Sequence, residues 1–132
     1  LPQIIADYCP WDVADPDAYQ RIDFQQGDAT KLPFDDSSFD LVFTRQALEQ
    51  IEAVRDAALS EIARGTKGPV IMVEPFADFN QSALNKNFVG AKDYFSLPIS
   101  DLMGFGIAPD YTYDDFPQKL TLGQGLVAGS TG

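Results

Sequence analysis

Phe24-Gln25-Gln26-Gly27-Asp28-Ala29-Thr30-Lys31-Leu32-Pro33-Phe34-Asp35-Asp36-Ser37-Ser38-Phe39-Asp40-Leu41-Val42-Phe43 is the stretch on which the reading of the fold turns. It predicts a strand, a loop and a second strand. Arg21 to Gln26 alternates polar and apolar residues, with Ile22 and Phe24 on one side, and ends on Gly27-Asp28-Ala29. Leu32-Pro33-Phe34 interrupts that period, and Asp35 to Ser38 is a polar turn. Phe39 to Thr44 is nearly continuous in apolar residues, the pattern of a strand covered on both faces.

Downstream, the period changes to that of a helix. Leu48, Ile51 and Val54, then Ala58, Leu59, Ile62 and Ala63, predict a helix that is clearest from Val54 to Arg64 and stops at Gly65. Thr66-Lys67-Gly68-Pro69 is a loop, and Val70-Ile71-Met72-Val73 is a second buried strand closed by Glu74-Pro75. Asn87 to Phe95 is expected to be helical, with Phe88, Ala91 and Phe95 on one side, and Ser100 to Gly106 to be a short helix ending at glycine. Ile107 to Phe116 and Lys119 to Ala128 read as two strands of a hairpin around Pro117. Upstream, Gln3-Ile4-Ile5-Ala6 is a candidate short strand ending at Asp7, followed by the breakers Cys9-Pro10-Trp11 and Asp15-Pro16-Asp17. This order predicts an α/β fold with a mostly parallel sheet and a C-terminal antiparallel hairpin, in one domain over residues 1–132.

Composition excludes several functions. The net charge of -11 argues against nucleic acid and anionic membrane surfaces, both of which require clustered lysine and arginine. One cysteine, Cys9, permits no internal disulfide and fits a reducing, cytoplasmic setting. No apolar run approaches a membrane span. There is no histidine, which removes His-dependent triads, most zinc sites and the commonest general base. The acidic group Asp110, Asp114 and Asp115 lacks the glycine and terminal glutamate of a calcium loop, so no metal site is expected.

The run from Gly27-Asp28-Ala29 through Leu32-Pro33-Phe34 to Phe39-Asp40-Leu41-Val42 resembles the middle of a class I S-adenosylmethionine-dependent methyltransferase of the type 11-like group. The resemblance continues through Ala58 to Arg64 and Val73-Glu74-Pro75-Phe76, and covers roughly residues 22 to 128. It implies a truncated Rossmann-like sheet with S-adenosylmethionine bound across the carboxyl ends of the strands. By resemblance, the Asp28 carboxylate bonds the adenine amine, the Ala29 N–H reaches the ring, and Leu32 lies beside it. Thr44 and Arg45, followed by Gln46, fall where the family lines the cofactor and substrate pocket. Asp7 falls in the position of the ribose-binding acid, and Glu74 and Tyr94 are the candidates for the substrate side.

The sequence departs from the family in several places. Gln50 stands where relatives often carry histidine, and the usual Lys-Pro-Gly-Gly turn is reduced to Lys67-Gly68-Pro69. Two Gly-x-Gly triplets occur, Gly104-Phe105-Gly106 and Gly123-Gln124-Gly125, and neither follows a strand and opens a helix as the family's cofactor loop does. The family's first strand and helix are therefore expected to be missing, which leaves the Asp40 to Thr44 strand with an open edge. Closure from within the chain, a homodimer, or a complementing N-terminal fragment would satisfy that edge. Two functional readings follow: methyl transfer to a small-molecule acceptor, or a non-catalytic binding or assembly module.

Overall fold

The computed structural model describes residues 17–80, 95–115 and 123–132. The expected strand before Asp7, the helix from Asn87 and the site residues Asp7 and Tyr94 lie outside the described residues. A 3₁₀ turn at Ala18–Arg21 leads into the chain. Strand β1 (Val42–Arg45) is followed by a 3₁₀ segment, Leu48–Val54, and helix α1 (Arg55–Gly65). Strand β2 (Pro69–Glu74) follows, then the 3₁₀ turns Ala77–Phe79 and Ile99–Phe105, and finally β3 (Ala108–Tyr113) and β4 (Gly125–Ser130).

The strands form one sheet in the order β1-β2-β4-β3. β1 and β2 are parallel and are joined through α1; β2 with β4 and β4 with β3 are antiparallel. The sheet is thus mixed, not mostly parallel: one of its three described pairings is parallel. The C-terminal hairpin accounts for the difference, because β4 inserts between β2 and β3 and reverses direction against both.

Ala58, Leu59 and Ile62 on α1 meet Val70, Met72 and Val127 of the sheet in one core, closed at its end by Phe76, Phe95, Leu97 and Leu102. The Phe76 and Phe95 rings meet edge to face at 5.4 Å. α1 begins one residue after the expected boundary and ends at Gly65 itself. Asp56 in its first turn and Arg64 in its last both oppose the helix dipole.

Two further expectations need correction. Among the described residues Arg21 to Gln26 does not form a paired strand: Ile22 and Phe24 are each 51% exposed, and the nearest bridge closes a turn between Asp28 and Lys31. A two-residue period fixes which side each residue faces, but a strand also needs a neighbour, and none of the described strands supplies one. The second strand is likewise not covered on both faces, since Leu41 is 50% and Phe43 58% exposed.

Candidate functional site

The Gly27-Asp28-Ala29 segment is a turn held by its own aspartate. The Asp28 carboxylate Oδ1 accepts from the Thr30 N–H at 2.9 Å and from the Thr30 hydroxyl at 2.7 Å, while the Lys31 N–H closes back on the Asp28 carbonyl at 3.0 Å. These bonds, with the Thr30 hydroxyl contributing most, hold the Asp28 carboxyl below its usual range. Asp28 is therefore an ionised acceptor at neutral pH. Ala29 beside it packs against the core.

The loop that follows is fastened to the last turn of α1. The Leu32 N–H donates to Glu61 Oε2 at 2.8 Å. Arg64 forks across the loop: it donates to the Phe34 carbonyl at 2.8 Å, the Asp36 carboxylate at 2.7 Å and the Leu32 carbonyl at 3.2 Å. It also pairs with both oxygens of Glu61, at 2.9 Å each. The guanidinium holds the Glu61 carboxyl below its usual range. Glu61 and Arg64 thus set the position of Leu32. Sequence reading missed them because an i,i+3 acid–base pair reads as an exposed helix pair. A cavity of about 630 Å³ opens beside this loop, lined by Asp23, Gln25, Pro33, Phe34, Asp35, Ser38 and Phe39. None of the expected site residues among the described residues lines it.

A second group gathers at the carboxyl ends of β1 and β2. Thr44 stands opposite Met72 in the parallel register, so Thr44 and Glu74 share one face. Arg45 is exposed on the other. Gln46 has a φ of 49°, a left-handed backbone uncommon for a residue other than glycine, and its N–H donates to the Val73 carbonyl at 2.9 Å. The chain therefore turns sharply as it leaves β1.

Glu74 is 0% exposed. Its carboxylate accepts from the backbone N–H groups of Ala47 at 3.1 Å, Leu48 at 3.3 Å and Glu49 at 3.4 Å, and so caps the 3₁₀ segment from a neighbouring strand. Burial pushes its pKa up, against the pull of those donors and of the nearby Thr44 hydroxyl. That hydroxyl is buried and makes no hydrogen bond of ordinary geometry. Glu74, expected on the substrate side, is enclosed and committed to the backbone. No hydrogen bond between described residues joins the Asp28 turn to the Thr44–Glu74 group.

In one Gly-x-Gly triplet Gly106 is a helix cap, and in the other both glycines serve packing. Gly106, at a φ of 85°, ends the Ile99–Phe105 turn: its N–H donates to the Met103 carbonyl and that of Ile107 to the Leu102 carbonyl, each at 3.1 Å. At the other triplet, a Cβ on Gly123 would lie 2.7 Å from the Phe79 carbonyl oxygen, and one on Gly125 would overlap the Phe79 ring. Buried Asn80 locks this contact. It donates to the Gly123 carbonyl at 3.0 Å and accepts from the Gly123 N–H at 2.6 Å. Among the described residues there is no group of three metal-ligating side chains, and no helix long and apolar enough to cross a membrane.

This is the fold of Rossmann-like methyltransferases. Residues 8–72 match the family profile described as a methyltransferase domain. The chain is thus methyltransferase-like in fold, and in sequence over residues 8–72. No curated protein matches the sequence. Among solved structures, the chain is similar to geranyl diphosphate C-methyltransferase from Streptomyces coelicolor A3(2), crystallised with Mg2+, geranyl diphosphate and S-adenosyl-L-homocysteine. The identity is 10% and the TM-score 0.59, covering 82% of this chain and 53% of that one. A complex of the Haloferax volcanii Trm112 methyltransferase activator with a methyltransferase matches at 20% identity and a TM-score of 0.60, covering 90% of this chain and 67% of that one. The cyclase SpnF matches at 16% and 0.66, covering 84% and 57%. The chain thus spans little more than half the length of two of these three structures. That a cyclase shares the fold separates fold from reaction.

Proposed function

We propose that the chain contributes to S-adenosylmethionine-dependent methyl transfer to a small-molecule acceptor, with Asp28 as the nucleoside anchor. The observation that carries this reading is the Asp28 turn. Thr30 engages Oδ1 only, so Oδ2 of an ionised carboxylate remains to accept from an adenine amine. Ala29 and Leu32, half-buried beside it, would bound the ring. The cofactor, when bound, supplies a methyl group already activated by its sulfonium, so the protein's task is mainly to position the acceptor and exclude water. Thr44 and Arg45 belong to the cofactor side of this reading, with Asp7 on the ribose and Tyr94 on the acceptor. Enclosed Glu74 becomes a positioning residue for Ala47 to Glu49.

Calorimetric titration of the 132-residue chain with S-adenosylhomocysteine tests the reading. Micromolar binding is expected, weakened about tenfold or more in Asp28→Ala, which loses an ionised acceptor. The second reading, a non-catalytic binding or assembly module, is favoured by the structural use of Gly106 as a cap and of Gly123 and Gly125 in packing. A folded chain that shows no binding at millimolar ligand would select it.

A further inference from the structure

Among the described residues, the hydrogen bonds of residues 28–31 all close on the Asp28 turn itself. Ala29 packs against the core, but the first hydrogen bonds that reach another element come at Leu32. Its N–H donates to Glu61 Oε2 at 2.8 Å, and its carbonyl accepts from Arg64 Nη2 at 3.2 Å. One acid–base pair on α1 therefore holds both backbone groups of the residue that leads out of the turn.

Arg64 is fully engaged in this fastening. A guanidinium carries five N–H donors, and five bonds leave this one: two to Glu61, and one each to the Leu32 carbonyl, the Phe34 carbonyl and the Asp36 carboxylate. The planar fork makes that possible. A lysine ammonium, with its donors at one point, could not span the same acceptors. Two backbone bonds extend the fastening, from the Ser37 N–H to the Arg64 carbonyl at 2.8 Å and from the Phe39 N–H to the Gly65 carbonyl at 2.9 Å. Ser37 meets the first of these with a left-handed φ of 54°. The chain from Leu32 to Phe39 thus follows the last turn of α1, and α1 is set in the core by Ala58, Leu59 and Ile62. The Arg64 side chain is 30% exposed and that of Glu61 18%. Pairs so placed contribute little to overall stability, so this one can orient the loop without carrying the fold.

We infer that Glu61 and Arg64 are positioning residues for nucleoside binding, which through Leu32 hold the Asp28 carboxylate at a fixed place against the sheet. The inference rests on the reading of Asp28 as the nucleoside anchor. Its test is calorimetric titration of the intact chain with adenosine. Micromolar binding is expected of the wild type, weakened about tenfold in Arg64→Met and about threefold in Glu61→Gln, which keeps the volume and one acceptor oxygen. Arg64→Lys should not restore it, because the fork is lost. A double-mutant cycle separates positioning from mere stability. In an Asp28→Ala background no anchor remains to be placed, so Arg64→Met should there cost less than about twofold. A structural loss would carry over undiminished into that background and would overturn the inference. Full affinity in Arg64→Lys, or wild-type affinity in both Arg64→Met and Glu61→Gln, would overturn it too and leave the Asp28 reading standing. Glu61→Gln, the milder change, keeps the test open if Arg64→Met does not fold. A wild-type chain that binds no adenosine at millimolar concentration would overturn the Asp28 reading and this inference together.

Discussion

Replacing Glu74 by alanine should destabilise the fold by about 2–3 kcal/mol, and the figure follows from the positions of its three donors. Ala47 is exposed, so water can take over its N–H, whereas Leu48 and Glu49 are buried and their N–H groups would lose the carboxylate they donate to. An orphaned buried donor costs about 1–3 kcal/mol. The bonds from Leu48 and Glu49, at 3.3 and 3.4 Å, are long for a carboxylate acceptor, which places each near the low end. The vacated volume adds to the loss, and removing a buried charge offsets part of it. Glu74→Gln keeps the volume and one acceptor oxygen, and should cost about half as much. Urea unfolding followed by far-UV circular dichroism measures both. The pH dependence gives a second, independent check. Burial raises the folded pKa above 4.5, so the native state holds a proton that the unfolded state has released. The stability carried by this group is fully present below pH 4.5 and is lost as pH rises through the folded pKa. Glutamine does not titrate, so the advantage of the wild type over Glu74→Gln should shrink across that window. A gap that widens as pH rises, or an alanine variant as stable as the wild type, would refute the reasoning.

A Cβ on Gly68 would overlap the Asp40 carbonyl oxygen, so Gly68→Ala should cost about 1–3 kcal/mol in urea unfolding. Gly104, with open space around it, should tolerate alanine within about 0.5 kcal/mol. Arg64→Met removes the fork that holds the Leu32 and Phe34 carbonyls and the Asp36 carboxylate; limited proteolysis between Leu32 and Asp36 should quicken while far-UV circular dichroism stays unchanged.

The elements legible in the sequence were those whose partners are local. α1 could be read because Ala58, Leu59 and Ile62 recur at helical spacing and the run ends on glycine. β2 could be read because four apolar residues sit between a Gly-Pro turn and Glu74-Pro75, and its alternating burial agrees with that reading. What could not be read is non-local. Arg21 to Gln26 has a strand's period but no neighbour among the described residues. The place of β4 between β2 and β3 depends on pairings that composition does not encode. Glu74 is the sharpest case: a carboxylate at a strand end reads as a group facing the substrate pocket, and its partners are backbone groups 25 to 27 residues upstream, which carry no side-chain signature. Asn80, which grips Gly123 across 43 residues, escaped notice for the same reason.

The two Gly-x-Gly triplets sharpen the question of what this chain can do. A glycine pair in such a chain invites assignment to the cofactor's methionine end, because backbone without a Cβ can approach a ligand closely. Here each pair holds at least one glycine with a structural reason of its own. Gly106 takes a left-handed cap that other residues adopt at a cost, and Gly123 and Gly125 make room for Phe79. Their closeness to backbone and ring leaves no space at the second triplet for a ligand in the same place. In the proposed reading, recognition therefore rests on the nucleoside side, at the Asp28 turn braced by Glu61 and Arg64. The 630 Å³ cavity lies along the same loop, on Pro33, Phe34 and Phe39. If the proposed activity holds, its selectivity should be governed first by contacts to the base and only second by contacts to the amino-acid tail. Adenosine should then compete for the site nearly as well as S-adenosylhomocysteine, and a large preference for the latter would place the missing contacts outside the described residues.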